Sequence, residues 1–551
     1  MSPRPHPHPL ALFSLLPLNE RANAVVADPS NAHLVSKLKD ESVLDIGLHI
    51  RSKSPNTLAT LGRGDVDVYV AGSTLAKIQC SFEIDQGTNT VMLYDRSHSQ
   101  TTQVFGDDAI PFEHGRTRKI VVHPKLNSII GMGGAARNLV LFKLQWHHNL
   151  PTVIETVQSR QNIPLAVEEN PRLARTIDEA DTVLPSRRAT RLHTPGPGRL
   201  KIRYAKINRL GSGQFGEVHK VVDADSGRFM AVKILMRPGS GAKGEQDRWM
   251  ELLKREVETL ARIDHPHIVD YIASQCWDRP EVEIFMGLKE GTLRSLAESR
   301  TDLDFAGSVF KQMLQALDCL AYNGIIHRDV KPDNILYTTY PNGAYHYQLG
   351  DFGLCNRNIS PHSQVGSPLF MAPEVYRGEA QTHKVDVWSL FVTMVWLFDG
   401  NGFRQAAMMF KTVNDVLKAV SSAASNENFS MVQEMAIVNP VERASAAQIL
   451  LKHFGGEGLS TPRNQVIPPL TPSTRQQKGL QRHTPPPSTV QSRVRKPQAS
   501  HRRRAPLPMI EKRLEEASIP VSAENPQIPR AFPSDNADRK DKKRKEYTYF
   551  S

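Results

Sequence analysis

The chain has 551 residues, too many for one hydrophobic core, and its 39% apolar and 23% charged content suits folded domains joined to unfolded segments. Its four cysteines, Cys80, Cys276, Cys319 and Cys355, stand far apart with no CxxC pair, which argues against a disulfide framework or a structural zinc site. Net charge is +12, and residues 471–551, with 18 Lys/Arg against 8 Asp/Glu, carry ten of those charges, so attraction to an acidic partner belongs to that tail.

In chain order, residues 1–42 form an N-terminal segment. Its "LALFSLLPL" has the length of a signal-peptide core, but it follows a Pro/His-rich start with one arginine and lacks a small-residue cleavage site, so secretion is not expected. From 43 to 146 come short β-rich runs, among them "DVDVYVAGS", "KIQCSFEID", "TVMLYD", "RKIVVH" and "LVLFKLQW", separated by turn residues. Alternation at this spacing predicts an all-β sandwich or barrel.

Residues 147–203 are polar with a Pro/Gly close and read as a linker. Between 204 and 454 strands come first, then helical patterns such as "DRWMELLKREVETLARI" and "AGSVFKQMLQALDCLAYNG". That order predicts a small sheet-rich lobe joined to a larger helical one. The apolar "VWSLFVTMVWLF" (Val387–Phe398), fenced by Asp386 and Asp399, has the length of a buried core helix and not of a membrane span. After 455 the composition turns to Pro, Ser, Thr, Gln and Arg with no aromatic between 461 and 531, which predicts disorder through 455–551.

The chemistry concentrates in the 204–454 region. "LGSGQFGEV" (Leu210, Gly211, Ser212, Gly213, Gln214, Phe215, Gly216, Glu217, Val218) puts glycines where a backbone could approach phosphate oxygens, and a strand follows instead of the helix a dinucleotide fold needs. "AVKIL" sets Lys233 in an apolar strand beginning at Ala231, and Glu256 in "KREVETL" offers that ammonium a carboxylate. "GIIHRDVKPDNILY" places Asp329, Lys331 and Asn334 between apolar flanks, and "LGDFGL" adds Asp351. Phosphoryl transfer needs a carboxylate to receive a hydroxyl proton, oxygen ligands for Mg²⁺ and cations against phosphate charge, and these residues supply all three.

These motifs, together with "MAPE" (Met371–Glu374), "DVWSL" (Asp386–Leu390) and Arg443 in "NPVERASA", resemble the eukaryotic protein kinase family in content and order across 204–454. The resemblance implies a bilobal α+β fold that uses ATP and Mg²⁺ on protein substrates. It implies Lys233 on the α/β-phosphates and paired with Glu256, Asp329 as base, Lys331 on the transferred phosphate, and Asn334 and Asp351 on the metal. It further implies a Glu374–Arg443 pair, Asp386 bracing the catalytic loop, and Met286 and Leu288 beside the adenine. Lys331 and "GSPLFMAPE", with Ser367, resemble the Ser/Thr branch; Ser363 falls where activating phosphorylation lands in related kinases, within reach of Arg328. A catalytically silent scaffold is the competing reading.

"TLATLGRGDVDVYVAGSTLAKIQCSFEI" resembles the forkhead-associated domain, a β-sandwich that reads phosphothreonine. Gly62-Arg63 matches the phosphate-gripping pair, while Ala76, Gln79 and Ser99-Gln100 replace a phosphate-binding Ser, a scaffold His and a peptide-holding Asn-Gly. Either Arg63 still binds phosphothreonine proteins, or the sandwich is a dimerisation or docking module. A forkhead-associated domain ahead of a Ser/Thr kinase is the layout of checkpoint effector kinases, although no Ser-Gln/Thr-Gln cluster precedes it. In the tail, "SRVRKPQASHRRRAPLP" and "DRKDKKRKEY" resemble nuclear import signals, giving an intracellular, nuclear expectation with solvated charge as the alternative. Thr461, Thr471 and Thr484 each precede proline and suit modification by other kinases.

Overall fold

The computed structural model describes residues 3–107, 109–133, 139–147, 201–213, 216–237, 243–299, 304–352, 367–399, 402–462 and 465–470, without the side chains of 243–245 and 256. The N-terminal part is a two-sheet sandwich. One sheet holds β1 (Ala11–Pro17), β2 (Val35–Leu38), β3 (Glu41–Gly47), β8 (Gln103–Phe105), β10 (Ile129–Met132) and β11 (Val140–Trp146) in the order β2-β3-β1-β11-β10-β8. The other holds β4 (Thr57–Gly62), β5 (Val68–Tyr69), β6 (Cys80–Ile84), β7 (Val91–Asp95) and β9 (Lys119–Val121) in the order β5-β4-β6-β7-β9. In β11 Val140, Phe142 and Leu144 are buried while Lys143 and Gln145 are exposed, the alternation of a sheet with one face on a core. Phe13 of the first sheet meets Phe82 of the second edge to face at 5.0 Å, so the two sheets share one core.

The sandwich starts well upstream of the boundary at 43 that composition suggests. The signal-like apolar run supplies β1, paired with β3 on one side and β11 on the other. A strand enclosed on both edges and buried over most of its length reads as a continuous apolar run, which periodicity alone cannot assign. Its one interior hydroxyl, Ser14, donates to the buried Asp45 carboxylate at 2.6 Å, which Ser36 also reaches at 2.8 Å.

From Tyr204 onward, β12 (Tyr204–Gly213), β13 (Gly216–Asp223), β14 (Phe229–Met236), β15 (Tyr271–Gln275) and β16 (Glu281–Gly287) form a second structure's small sheet, ordered β12-β13-β14-β16-β15, beside the Lys243–Arg262 helix. A larger helical lobe follows, with β17 (Gly291–Thr292), β18 (Ile335–Thr339) and β19 (Tyr345–Leu349) at its edge. Its centre is the Lys384–Phe398 helix, buried from Val385 to Leu397, as its unbroken apolar sequence requires.

The sandwich packs on the small lobe. Met92, Val121 and Leu126 join Val222 of β13 in one apolar cluster, Val121 N–H donates to Ala224 O at 2.8 Å, and Ala224 is wholly buried in the sandwich core. Arg116 Nη1 lies 2.9 Å from Asp225, which Arg203 also engages. At the other end, the described residues 455–462 and 465–470, expected to be disordered, reach the large lobe, with Leu459 and Leu470 against its core. Cys80, Cys276 and Cys319 are buried free thiols. No described helix is long and apolar enough to cross a membrane.

Candidate active site

The β12–β13 hairpin stands at one edge of the small lobe's sheet. Gly216 has φ +137, and a Cβ there would stand 2.0 Å from Ile234 O, so the hairpin closes only over glycine. Gly211 and Ser212 are exposed on the same hairpin, as is the Leu210 side chain at 52%. Gln214 and Phe215 lie outside the described residues. Further into the sheet, register pairs Val218 with Lys233, and Ala231 with Met286, whose strand ends one residue before Leu288.

Lys233 is 8% exposed, and its ammonium makes an ion pair across the lobes with the Asp351 carboxylate. Burial of Asp351 pushes its carboxyl up, but the Lys233 ammonium more than reverses this and holds it below the ordinary aspartate range. The side chain of Glu256, expected to meet Lys233, is not among those described. Asp351 sits at φ +55, directly after Gly350.

The loop from Ile325 to Asn334 converges on Asp329. Its Oδ1 accepts from Ser367 N–H at 3.0 Å and from the Ser367 hydroxyl at 2.9 Å. Its Oδ2 accepts from Lys331 Nζ at 2.7 Å and from Asn334 Nδ2 at 2.9 Å. Lys331 also donates to Ser367 Oγ at 2.6 Å. Every lone-pair direction of the carboxylate is thereby fixed, on a residue only 8% exposed.

Asn334 spends its amide N–H groups on Asp329, 2.8 Å to the backbone oxygen, and its Oδ1 has no donor among the described residues. That oxygen and the Asp351 carboxylate are hard donors of the kind Mg²⁺ takes together with phosphate oxygens. Among the described residues no group of three or more His, Cys, Asp and Glu converges as a ready metal cage.

Behind the loop, Asp386 at the first turn of the buried helix accepts from His327 N–H and Arg328 N–H, each at 2.8 Å. Arg328 stands at φ +69, a costly conformation for a branched-charge side chain, and this double anchor holds it there. Burial drives the Asp386 carboxyl up to about 7, with the two N–H bonds pulling the other way. His327 Nε2 is 2.9 Å from Gly350 O, which ties the loop of Asp329 to the residue before Asp351, and burial lowers its imidazole so the ring stays neutral.

Sequence reasoning took Ser367 as a mark of substrate class and missed it as a partner of Asp329 and Lys331; its place just before "MAPE" was the available signal. The strut from His327 to Gly350 O had no such signal, since a carbonyl is not legible in sequence. Ser363 and the rest of 353–366 lie outside the described residues.

In the sandwich, Arg63 Nε donates to Leu75 O at 2.6 Å. Gln79 is fully buried and braces the neighbouring loops: its Oε1 accepts from Ala76 N–H, and its Nε2 donates to Thr101 and Thr102 hydroxyls, all at 3.0 Å. Gln100 follows Ser99 at φ +51.

A glycine-closed hairpin, a lysine paired to a loop aspartate across two lobes, and a carboxylate held by lysine and asparagine come together in this region. Residues 204–454 match the protein kinase domain model and form a protein kinase domain. Among curated relatives, the chain is 30% identical over 275 residues to the mitogen-activated protein kinase kinase kinase mkh1 of Cytospora mali, covering 46% of this chain and 14% of that one. It is 31% identical over 252 residues to cell division control protein 7 of Schizosaccharomyces pombe, covering 44% and 23%. It is 29% identical over 316 residues to NUAK family SNF1-like kinase 2 of Rattus norvegicus, covering 54% and 47%. The chain thus spans less than half the length of each of these relatives.

Proposed function

We propose that this chain transfers the γ-phosphoryl group of ATP to Ser or Thr hydroxyls of proteins in a signalling pathway. The observation that carries the reading is the Asp329 carboxylate, held on both oxygens by Ser367, Lys331 and Asn334 in a cleft that Lys233 and Asp351 bridge. ATP with Mg²⁺ supplies, when bound, the phosphoryl group and a cation against its charge.

The chain's own residues do the rest. Gly211, Ser212, Gly213 and Gly216 present backbone N–H groups to phosphates, and Leu210, Val218, Ala231, Met286 and Leu288 wall the adenine. Lys233 would meet the phosphate oxygens, and Asn334 Oδ1 and the Asp351 carboxylate would hold the metal. Asp329 orients the attacking hydroxyl and accepts its proton, a task for which the Ser367 hydroxyl at 2.9 Å already shows the donor geometry. Lys331 moves from Asp329 toward the transferred phosphate.

The test is incorporation of labelled phosphate into a generic basic protein by the purified chain with ATP and Mg²⁺, beside Asp329→Asn. Labelling should fall by about 10²-fold or more in the variant. Equal weak labelling by both would favour the silent scaffold.

For the sandwich, the docking reading gains from its apolar seat on the small lobe, with Ala224 buried in its core. Phosphothreonine recognition rests on Arg63 and on loops that Gln79 still braces. Titration of the full chain with phosphothreonine peptides, beside Arg63→Ala, separates the two: no binding by either leaves docking. A checkpoint-like pathway and nuclear residence rest on domain order and the basic tail, and loss of nuclear accumulation on neutralising 502–504 is the corresponding check.

A further inference from the structure

The chain does not leave the large lobe where its last helix ends. The Ala446–Phe454 helix closes on Gly455 at φ +61, and Gly456 N–H returns to Leu450 O at 3.0 Å. Residues 455–462 then run over the Ala306–Tyr322 helix. Lys311, Gln315 and Asp318 lie at spacings of four and three, hence on one face, and all three hold this strap. Lys311 Nζ pairs with Glu457 at 2.8 Å, and Gln315 Nε2 donates to Glu457 O at 3.0 Å.

Asp318 holds it most closely. Its carboxylate, on a residue 1% exposed, accepts from Ser460 N–H at 2.7 Å, Thr461 N–H at 3.0 Å and the Thr461 hydroxyl at 2.7 Å. Among the described residues no Lys or Arg pairs with it. A buried carboxylate is tolerable only while its lone pairs are satisfied, and here donors from the strap supply that compensation. Thr461 is half-buried and precedes Pro462.

We propose that Thr461 is a phosphorylation site for a proline-directed protein kinase, and that phosphate there releases the 455–462 strap from the large lobe. In the modifying step the γ-phosphorus of ATP bonds to Thr461 Oγ1 as its bond to the β,γ-bridging oxygen breaks. The hydroxyl proton passes to the modifying enzyme's carboxylate base, and ADP leaves. The product carries nearly two negative charges and no hydroxyl donor. Placed against the buried Asp318 carboxylate, that charge repels what the hydroxyl had bound. The strap then leaves, uncovering Asp318 four residues before Tyr322, where this helix gives way to the turn that feeds the catalytic loop.

The experiment treats the full chain with a proline-directed kinase and ATP, locates phosphate by mass spectrometry, and follows amide hydrogen exchange in 306–322 and 455–462. Phosphate on Thr461 should speed exchange in both segments by about tenfold or more. Thr461→Val, which cannot be modified and starts less protected for want of the hydroxyl, should exchange in both segments at the same rate before and after the treatment. The proposal is overturned if Thr461 stays unmodified after exhaustive treatment. It is equally overturned if stoichiometric phosphate leaves both segments as protected as before, or if Thr461→Val shows the same acceleration.

Discussion

Arg443 and Glu374 form a bidentate ion pair with neither side chain exposed, at 2.6 Å and 2.8 Å. The guanidinium also donates to Ile437 O at 2.8 Å and Lys384 O at 3.0 Å, and lies 5.1 Å from the Trp388 ring. The pair ties the segment after Ser367 to the loop before the last helix.

Removing one partner strands the other charge in the core. Arg443→Ala should cost about 3–5 kcal/mol in urea unfolding, and the double change Arg443→Met with Glu374→Gln should recover much of it. A single-variant loss below about 1 kcal/mol would mean the buried charge had found water, against the closure described.

Asp386 serves geometry at the expense of solvation. Asp386→Ala leaves the His327 and Arg328 N–H groups without their acceptor, roughly 1–3 kcal/mol each, partly offset because a buried carboxylate is gone. Phosphotransfer should therefore fall by at least about tenfold, because Arg328 is no longer held at φ +69 beside Asp329, and the thermal midpoint should fall with it. Unchanged turnover in this variant would separate the loop's conformation from its anchor.

The seat of the sandwich predicts a cooperative unit. Ala224→Asp puts a carboxylate where the side chain is wholly buried in the sandwich core, beside Val121. Calorimetry of the full chain should then resolve separate unfolding of the sandwich and the kinase lobes, where the wild type gives a coupled transition. A single coupled transition in the variant counts against an interface of consequence.

Acid should weaken the fold. Burial holds His49, His123 and His265 down at about 4, whereas unfolded chain takes up those protons near 6.5. As pH falls from 6.5 to 4 the unfolded state binds protons that the native state refuses, so stability is lost across that window. Asp386 works the other way: raised to about 7, it binds a proton in the native state first, adding stability as pH falls through 7. Three groups outweigh one, so the urea midpoint should drop between pH 7 and pH 5, and less so in His265→Gln. A midpoint that rises over that interval would refute the assignment.

The convergence on Asp329 was legible because its residues stand in one short run: Asp329, Lys331 and Asn334 lie within six positions, and their polarity between apolar flanks has no cheaper explanation than a site. The helix Lys384–Phe398 was equally plain, since an unbroken apolar run of that length must be buried. The order of strands before helices likewise showed two lobes without saying how they meet.

What the residues alone determined, then, was local: which stretches carry chemistry, and which must hide from water. Tertiary structure decided whatever depends on a partner far along the chain. Ser14 sits at the centre of a sheet because Asp45 accepts its hydroxyl, Ala224 is core because the sandwich closes over it, and Thr461 stays folded because Asp318 needs its donors. A side chain's own character sets what it requires, but only the closed fold brings up the distant group that meets the requirement.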